Sequence, residues 1–175
     1  ILKPSHKNAD AGFIIMEPED NPPMSGSNAI CVTTVLLEKN IIKMQYPITE
    51  LILEAPGGLI KVIAFCENKK VKSVTLTNLA CFADKVDVNL KTKNFGSITV
   101  STAFGGDSFL ICNAHDFNLK IEPKNAIKFV KIAKELLEEA NFSIGFEHPT
   151  IERLNYISFC QFVEPLKKKD NSILT

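Results

Sequence analysis

The pentapeptide Met24-Ser25-Gly26-Ser27-Asn28 stands directly ahead of an apolar run from Ala29 to Leu37. Two hydroxyls, a glycine and an amide at the mouth of a helix are equipped for one kind of chemistry. The first N–H groups of a helix have no partner within it and carry the positive end of its dipole. A carboxylate or phosphate settles there readily, and Gly26 would let it approach the backbone closely. The plainer alternative is that Ser25 or Ser27 simply caps the helix.

Other chemistries find little support. There is no GxxxxGK[ST] phosphate loop, no GxGxxG after a strand and no HExxH pair. Cysteines stand at 31, 66, 81, 112 and 160, without a CxxC or CxxH spacing, and His6, His115 and His148 are isolated. Zinc needs Cys or His ligands grouped a few residues apart, so no metal site is expected. Several thiols lie inside apolar runs and read as free, buried groups in a reducing, cytoplasmic setting. Asp107 and Asp116 read as turn residues, and His148, before Pro149, as a loop residue. Twenty Lys plus Arg balance twenty Asp plus Glu, which gives no general attraction to nucleic acid or an anionic membrane. No stretch approaches the roughly 20 apolar residues that span a bilayer.

The elements that must position the motif follow from periodicity. With 175 residues, 45 % hydrophobic and 23 % charged, the chain can build a core of one domain or two small ones. Ala11 to Met16 reads as a short strand, stopped by Pro18, Pro22 and Pro23. Ser25 to Glu38 reads as a helix; a strand is the rival reading, because Val and Thr favour sheets. As a helix it has almost no polar face, which predicts burial nearly all round. Alternating segments at 48–54, 59–65, 71–77, 86–90, 97–102 and 109–113 predict strands. Pro56-Gly57-Gly58 is a turn, and Gly105-Gly106 a turn or bulge. Asn125 to Ala140 is the clearest helix: Ala126, Phe129, Val130, Ala133, Leu136, Leu137 and Ala140 keep the 3.6-residue period. Tyr156 to Val163 predicts a last strand. The order is α+β, mostly antiparallel strands about one buried helix, with a second unit starting near residue 104. The chain opens on Ile1-Leu2-Lys3-Pro4, has a solvated Lys167-Lys168-Lys169 run, and turns apolar again at Ile173-Leu174. That pattern reads as a fragment of a longer protein.

The stretch from Ala9 to Asp20, then Pro22-Pro23-Met24-Ser25-Gly26-Ser27-Asn28-Ala29-Ile30-Cys31-Val32, closely resembles the first catalytic segment of the proline racemase family. That family comprises proline racemases, 4-hydroxyproline 2-epimerases and trans-3-hydroxy-L-proline dehydratases. Leu53-Glu54-Ala55-Pro56-Gly57-Gly58-Leu59-Ile60, Val74-Thr75-Leu76-Thr77-Asn78, Phe104-Gly105-Gly106 and Glu147-His148-Pro149 extend the resemblance over nearly the whole chain. It implies a diaminopimelate epimerase-like fold of two similar domains, each a curled sheet around a central helix. Here these would be 1–103, with the motif, and 104–175, the start of a second domain. It also implies cofactor-independent removal of the α-proton of a proline or hydroxyproline. The implied partner is that small molecule, not nucleic acid or membrane; a homodimer is left open. Ser25 would be catalytic, Gly26 and Ser27 would bind the substrate carboxylate, and Asn28 would either shape the pocket or only cap the helix.

Two departures matter. Racemases of the family carry Met-Cys-Gly-His where this chain has Met24-Ser25-Gly26-Ser27. A thiol at a helix N-terminus becomes a thiolate near neutral pH, whereas a hydroxyl needs an activating neighbour. Racemisation needs a competent acid or base on each face of the α-carbon; dehydration needs one base and help for the departing hydroxyl. Serine therefore points to trans-3-hydroxy-L-proline dehydratase, with hydroxyproline epimerase or proline racemase as the alternative. A proline-binding homologue without catalysis is an alternative of another class. The second departure is that the family's other motif, of the type Asp-Arg-Ser-Pro-Cys/Thr-Gly-Thr-Gly, has no counterpart in these residues.

Overall fold

The structure, a computed structural model, describes residues 1–18, 20–169 and 172–174, with side chains to residue 166. It divides into two compact units, Ile1–Cys81 and Phe82–Thr175.

The first unit contains β1 (Ala11–Gly12), α1 (Gly26–Glu38), β2 (Ile48–Ala55), β3 (Gly58–Glu67) and β4 (Lys70–Thr77). They form one sheet in the order β1-β2-β3-β4, antiparallel except for the parallel β1–β2 pair. Alternation puts Leu51, Leu53, Ala55, Ile60, Val62 and Ala64 into the core. α1 adds Ala29, Thr33, Leu36 and Leu37 to it. Burying each large aliphatic side chain contributes about 1.5–3 kcal/mol, so this contact holds the helix to the sheet. Thr33 is tolerated inside because its hydroxyl donates to the Ala29 carbonyl at 2.8 Å.

The second unit contains β5 (Phe82–Thr92), β6 (Gly96–Phe104), β7 (Ser108–Asn113), α2 (Ala126–Ser143) and β8 (Phe159–Val163). Their sheet has the order β5-β6-β7-β8; only β7 and β8 run parallel, with α2 in the crossover between them. A further antiparallel pair joins β9 (Lys167–Lys169) to β10 (Ser172–Leu174). Ile132, Leu136 and Ala140 of α2 are buried, as are Leu90, Val100, Phe104 and Leu110 of the sheet. Among the described residues no helix is long and apolar enough to cross a membrane.

The α+β class with two mostly antiparallel sheets is as expected, but four details differ. The expected domain boundary at 103/104 falls at 81/82 instead. β5 pairs with β6, and β6 with β7, so the strands at 86–90 and 97–102 belong to the second sheet. The expected strand at 11–16 is regular only at Ala11–Gly12; the Phe13 amide still bonds the Glu54 carbonyl at 2.9 Å before the chain leaves the sheet. The expected burial of α1 on all sides is also not found among the described residues. One four-stranded sheet offers one face, so Ile30, Cys31 and Val35 on the far side of α1 are exposed.

Candidate active site

Three buried residues, Pro22, Pro23 and Met24, lead into the motif. The tight β2–β3 turn anchors them. The Gly57 amide donates to the Pro23 carbonyl at 2.9 Å. A Cβ at Gly57 would sit 2.7 Å from Leu79 Cδ1 and 3.2 Å from both Pro23 Cβ and its carbonyl oxygen. Glycine at 57 is therefore a packing requirement of the segment that carries the motif. The sequence showed Pro56-Gly57-Gly58 as a turn but gave no sign of what that turn grips; the proximity of Leu79 and Pro23 to it is a tertiary fact.

Ser25 is the N-cap of α1, with extended backbone at φ −141° and ψ 126°. Its carbonyl accepts the Ala29 amide at 3.0 Å. Its Oγ accepts the Asn28 side-chain amide at 3.1 Å and, at a long 3.5 Å, the Asn28 backbone amide. Ser27 Oγ lies 3.2 Å away from it. The structure thus brings Ser25, Ser27 and Asn28 into one hydrogen-bonded cluster. Ser25 both caps the helix and keeps its oxygen within reach of two polar neighbours, so capping and a reactive position are not exclusive.

The amides of Gly26 and Ser27 have no acceptor among the described residues, and the first turn of α1 holds no acidic residue. These are the donors that an anion would engage. Gly26 has no folding reason to be glycine. A Cβ there would make only an ordinary 3.7 Å contact with Leu76 Cδ2. Its bare backbone suits close approach from outside the unit's own packing.

The residues set aside as structural have defined partners. Asp107 is buried, at 4 % exposure. Its Oδ1 accepts the Ser158 hydroxyl at 2.6 Å and the Ser108 amide at 2.7 Å, tying the start of β7 to the segment before β8. Asp116 lies in the first turn of a short 3₁₀ helix at Ala114–Phe117 and is exposed. His148 packs edge-on against Phe104 and Phe82, at centroid distances of 4.4 and 5.2 Å. Its Nδ1 accepts the amides of Ile151 at 3.0 Å and Thr150 at 3.2 Å, and burial pushes its pKa down, so the ring is held neutral. Two thiols not paired by sequence reasoning, Cys112 and Cys160, lie 3.7 Å apart across β7 and β8. Their separation of 48 positions left no local signal. The hydrogen bond with the Cys160 sulfur, and then burial, raise the Cys112 pKa strongly.

The family model described as proline racemase matches residues 1–175. A hydroxyproline epimerase from Agrobacterium vitis, solved with bound trans-4-hydroxy-L-proline, is 35 % identical and superposes with a TM-score of 0.86 over 98 % of this chain. A probable proline racemase from Agrobacterium radiobacter K84, solved with bound carbonate, is 32 % identical, also at a TM-score of 0.86 over 98 %. This chain spans 49 % and 50 % of those two proteins, about half of each. By the family-model match over residues 1–175, the chain belongs to the proline racemase family.

Proposed function

We propose that this chain carries one half of a cofactor-independent active site that acts at the α-carbon of a proline-type substrate. The observation that bears the proposal is the N-terminus of α1: two amides without an acceptor, at Gly26 and Ser27, beside the Ser25 hydroxyl. A substrate carboxylate bound to those amides would present its α-carbon near Ser25. As the α-proton leaves, negative charge flows onto that carboxylate. The same helix end then stabilises it more strongly than in the ground state, which is how such an arrangement lowers a barrier.

Ser25 sets the reaction type. The Asn28 amide donates to its Oγ, so the Ser25 proton is directed to Ser27 or to the substrate. In that state Ser25 is a hydrogen-bond donor and proton source rather than a strong base. A one-base reaction suits it better than a symmetrical two-base exchange. Dehydration of trans-3-hydroxy-L-proline has that form: a base abstracts the α-proton while a donor assists departure of the 3-hydroxyl as water. The diaminopimelate epimerase-like pairing of two domains would supply the base from outside these residues. The relative with trans-4-hydroxy-L-proline bound favours a second reading, 2-epimerisation, in which Ser25 returns a proton to one face of the α-carbon.

Product analysis separates them. The protein as expressed from its gene is incubated with trans-3-hydroxy-L-proline, trans-4-hydroxy-L-proline and L-proline, and each is followed by NMR. Conversion of the 3-hydroxy substrate to a cyclic imine supports the dehydratase. Conversion of another substrate to its C2 epimer replaces it with the epimerase or racemase. Binding of these substrates without any turnover assigns the fold a non-catalytic role.

A further inference from the structure

The far end of α1 carries a second concavity unrelated to Ser25. Thirteen residues at about 1.5 Å rise separate the two ends by about 20 Å. The cavity measures about 440 Å³ and is lined by Leu37, Met44 and Tyr46 together with Glu38, Asn40, Lys43 and Lys69. We propose that it binds a small organic anion with an apolar body, of the aryl or alkyl carboxylate class.

Three features carry this. First, the charges around the cavity are unequally committed. The Glu38 carboxylate is occupied by Lys70 Nζ at 2.6 Å and the Val71 amide at 3.0 Å. Among the described residues, neither Lys43 nor Lys69 is paired with a carboxylate. Second, the negative end of α1 is already quenched by backbone donors. The Leu36 carbonyl accepts the amides of Ile41 at 2.9 Å and Ile42 at 3.0 Å, and the Leu37 carbonyl that of Asn40 at 3.1 Å. An anion there meets two cations and no unopposed carboxylate. Third, Lys69 occupies a backbone position that disfavours it. Asn68 and Lys69 form the two-residue turn between β3 and β4, with φ of 51° and 62°. Such turns favour glycine at the second position. A lysine held there at a conformational cost, on the rim of a cavity, suggests that its charge serves something other than folding. Half-buried Met44 and exposed Tyr46 then give a ligand's body a surface beside the charge.

The test is a titration of the chain with benzoate, followed by amide shifts in ¹H–¹⁵N spectra. Inorganic phosphate and benzyl alcohol serve as the head and the body alone. Benzoate should shift Asn40, Lys43, Met44 and Lys69, and the two half-ligands should bind at least about tenfold more weakly. Lys43→Gln and Lys69→Gly should each weaken benzoate by about fivefold, as a part-exposed ion pair implies. Lys61→Gln, outside the cavity, should leave it unchanged. Lys69→Gly should also raise the unfolding temperature, because glycine relieves the positive φ; a lysine kept for folding would give the opposite sign. Benzoate shifts elsewhere, affinity unaltered in Lys43→Gln and Lys69→Gly, or phosphate binding as tightly as benzoate would each overturn the proposal.

Discussion

Gly57→Ala tests how the motif is held. The added methyl meets Leu79 Cδ1 at 2.7 Å and the Pro23 Cβ and carbonyl oxygen at 3.2 Å. The Leu79 methyl can rotate away, although Leu79 packs against the core and its displacement is not free. Pro23 has no rotamer to use. It must move by a few tenths of an ångström, stretching the 2.9 Å bond from the Gly57 amide. Overpacking of this kind costs about 1–3 kcal/mol, and weakening a net hydrogen bond adds up to about 1 kcal/mol. For a unit of this size each kcal/mol lowers the midpoint by about 4–8 °C. Gly105→Ala is the matched control, since its Cβ meets nothing within 4 Å, and it should stay within about 0.5 kcal/mol of the parent. Urea unfolding gives the stability and amide shifts report the displacement, which should reach Met24, Ser25 and Gly26. If Gly57→Ala matches Gly105→Ala in stability and leaves those shifts unmoved, the reasoning about the clamp is refuted.

Glu54 gives an acid-side prediction. The Ser5 hydroxyl and the amides of His6 and Ser5 hold its carboxylate below the usual 4.5, so their stabilisation is present above that value and lost as pH falls through the lower folded value. Amide exchange at Ser5 and His6 should accelerate there, and Glu54→Gln should make it fast at neutral pH. His148 predicts a second window. Burial lowers its pKa from 6.5, so its contribution is complete above about 6.5 and declines as pH falls from there toward the folded value; His148→Asn should flatten that part of the stability–pH curve. Thiol labelling at neutral pH should modify the exposed Cys31 and Cys81 first, while Cys66 and Cys112 react only on unfolding; early labelling of Cys112, checked by mass mapping, would contradict its burial and raised pKa.

What could be read from sequence was local. The start of α1 was legible because Pro22 and Pro23 end one segment and Ser25 has the chemistry of a cap. α2 was legible because Leu136 and Ala140 repeat at the helical period, and it extends three residues past the expected Ala140. Pairing between distant segments was not legible. Val86 to Leu90 looks like the strands before it, and no Gly or Pro at 81/82 announces a new sheet. Only its register with Ile98 and Val100 assigns it to the second unit. The apolar outer face of α1 gave a wrong expectation for a simple reason. Ile30 and Val35 report what could be buried, whereas the first sheet determines what is buried here. In the candidate site, residue types pointed to a helix end, and only the resemblance to the family motif singled out Ser25, Gly26, Ser27 and Asn28. The Gly57–Pro23 anchor and the direction of the Asn28 amide needed coordinates.

Under the proposed reading the Gly26 and Ser27 amides hold the carboxylate of a substrate that loses its α-proton, and the Ser25 hydroxyl donates during that turnover. The most direct measurement is loss of the α-proton signal of trans-3-hydroxy-L-proline, trans-4-hydroxy-L-proline and L-proline in D2O, for the parent protein and for Ser25→Ala. At least one substrate should lose that signal and form product with the parent, and Ser25→Ala should slow product formation by about 10²-fold or more while carboxylate binding persists. Undiminished conversion of substrate to product in Ser25→Ala would contradict that role.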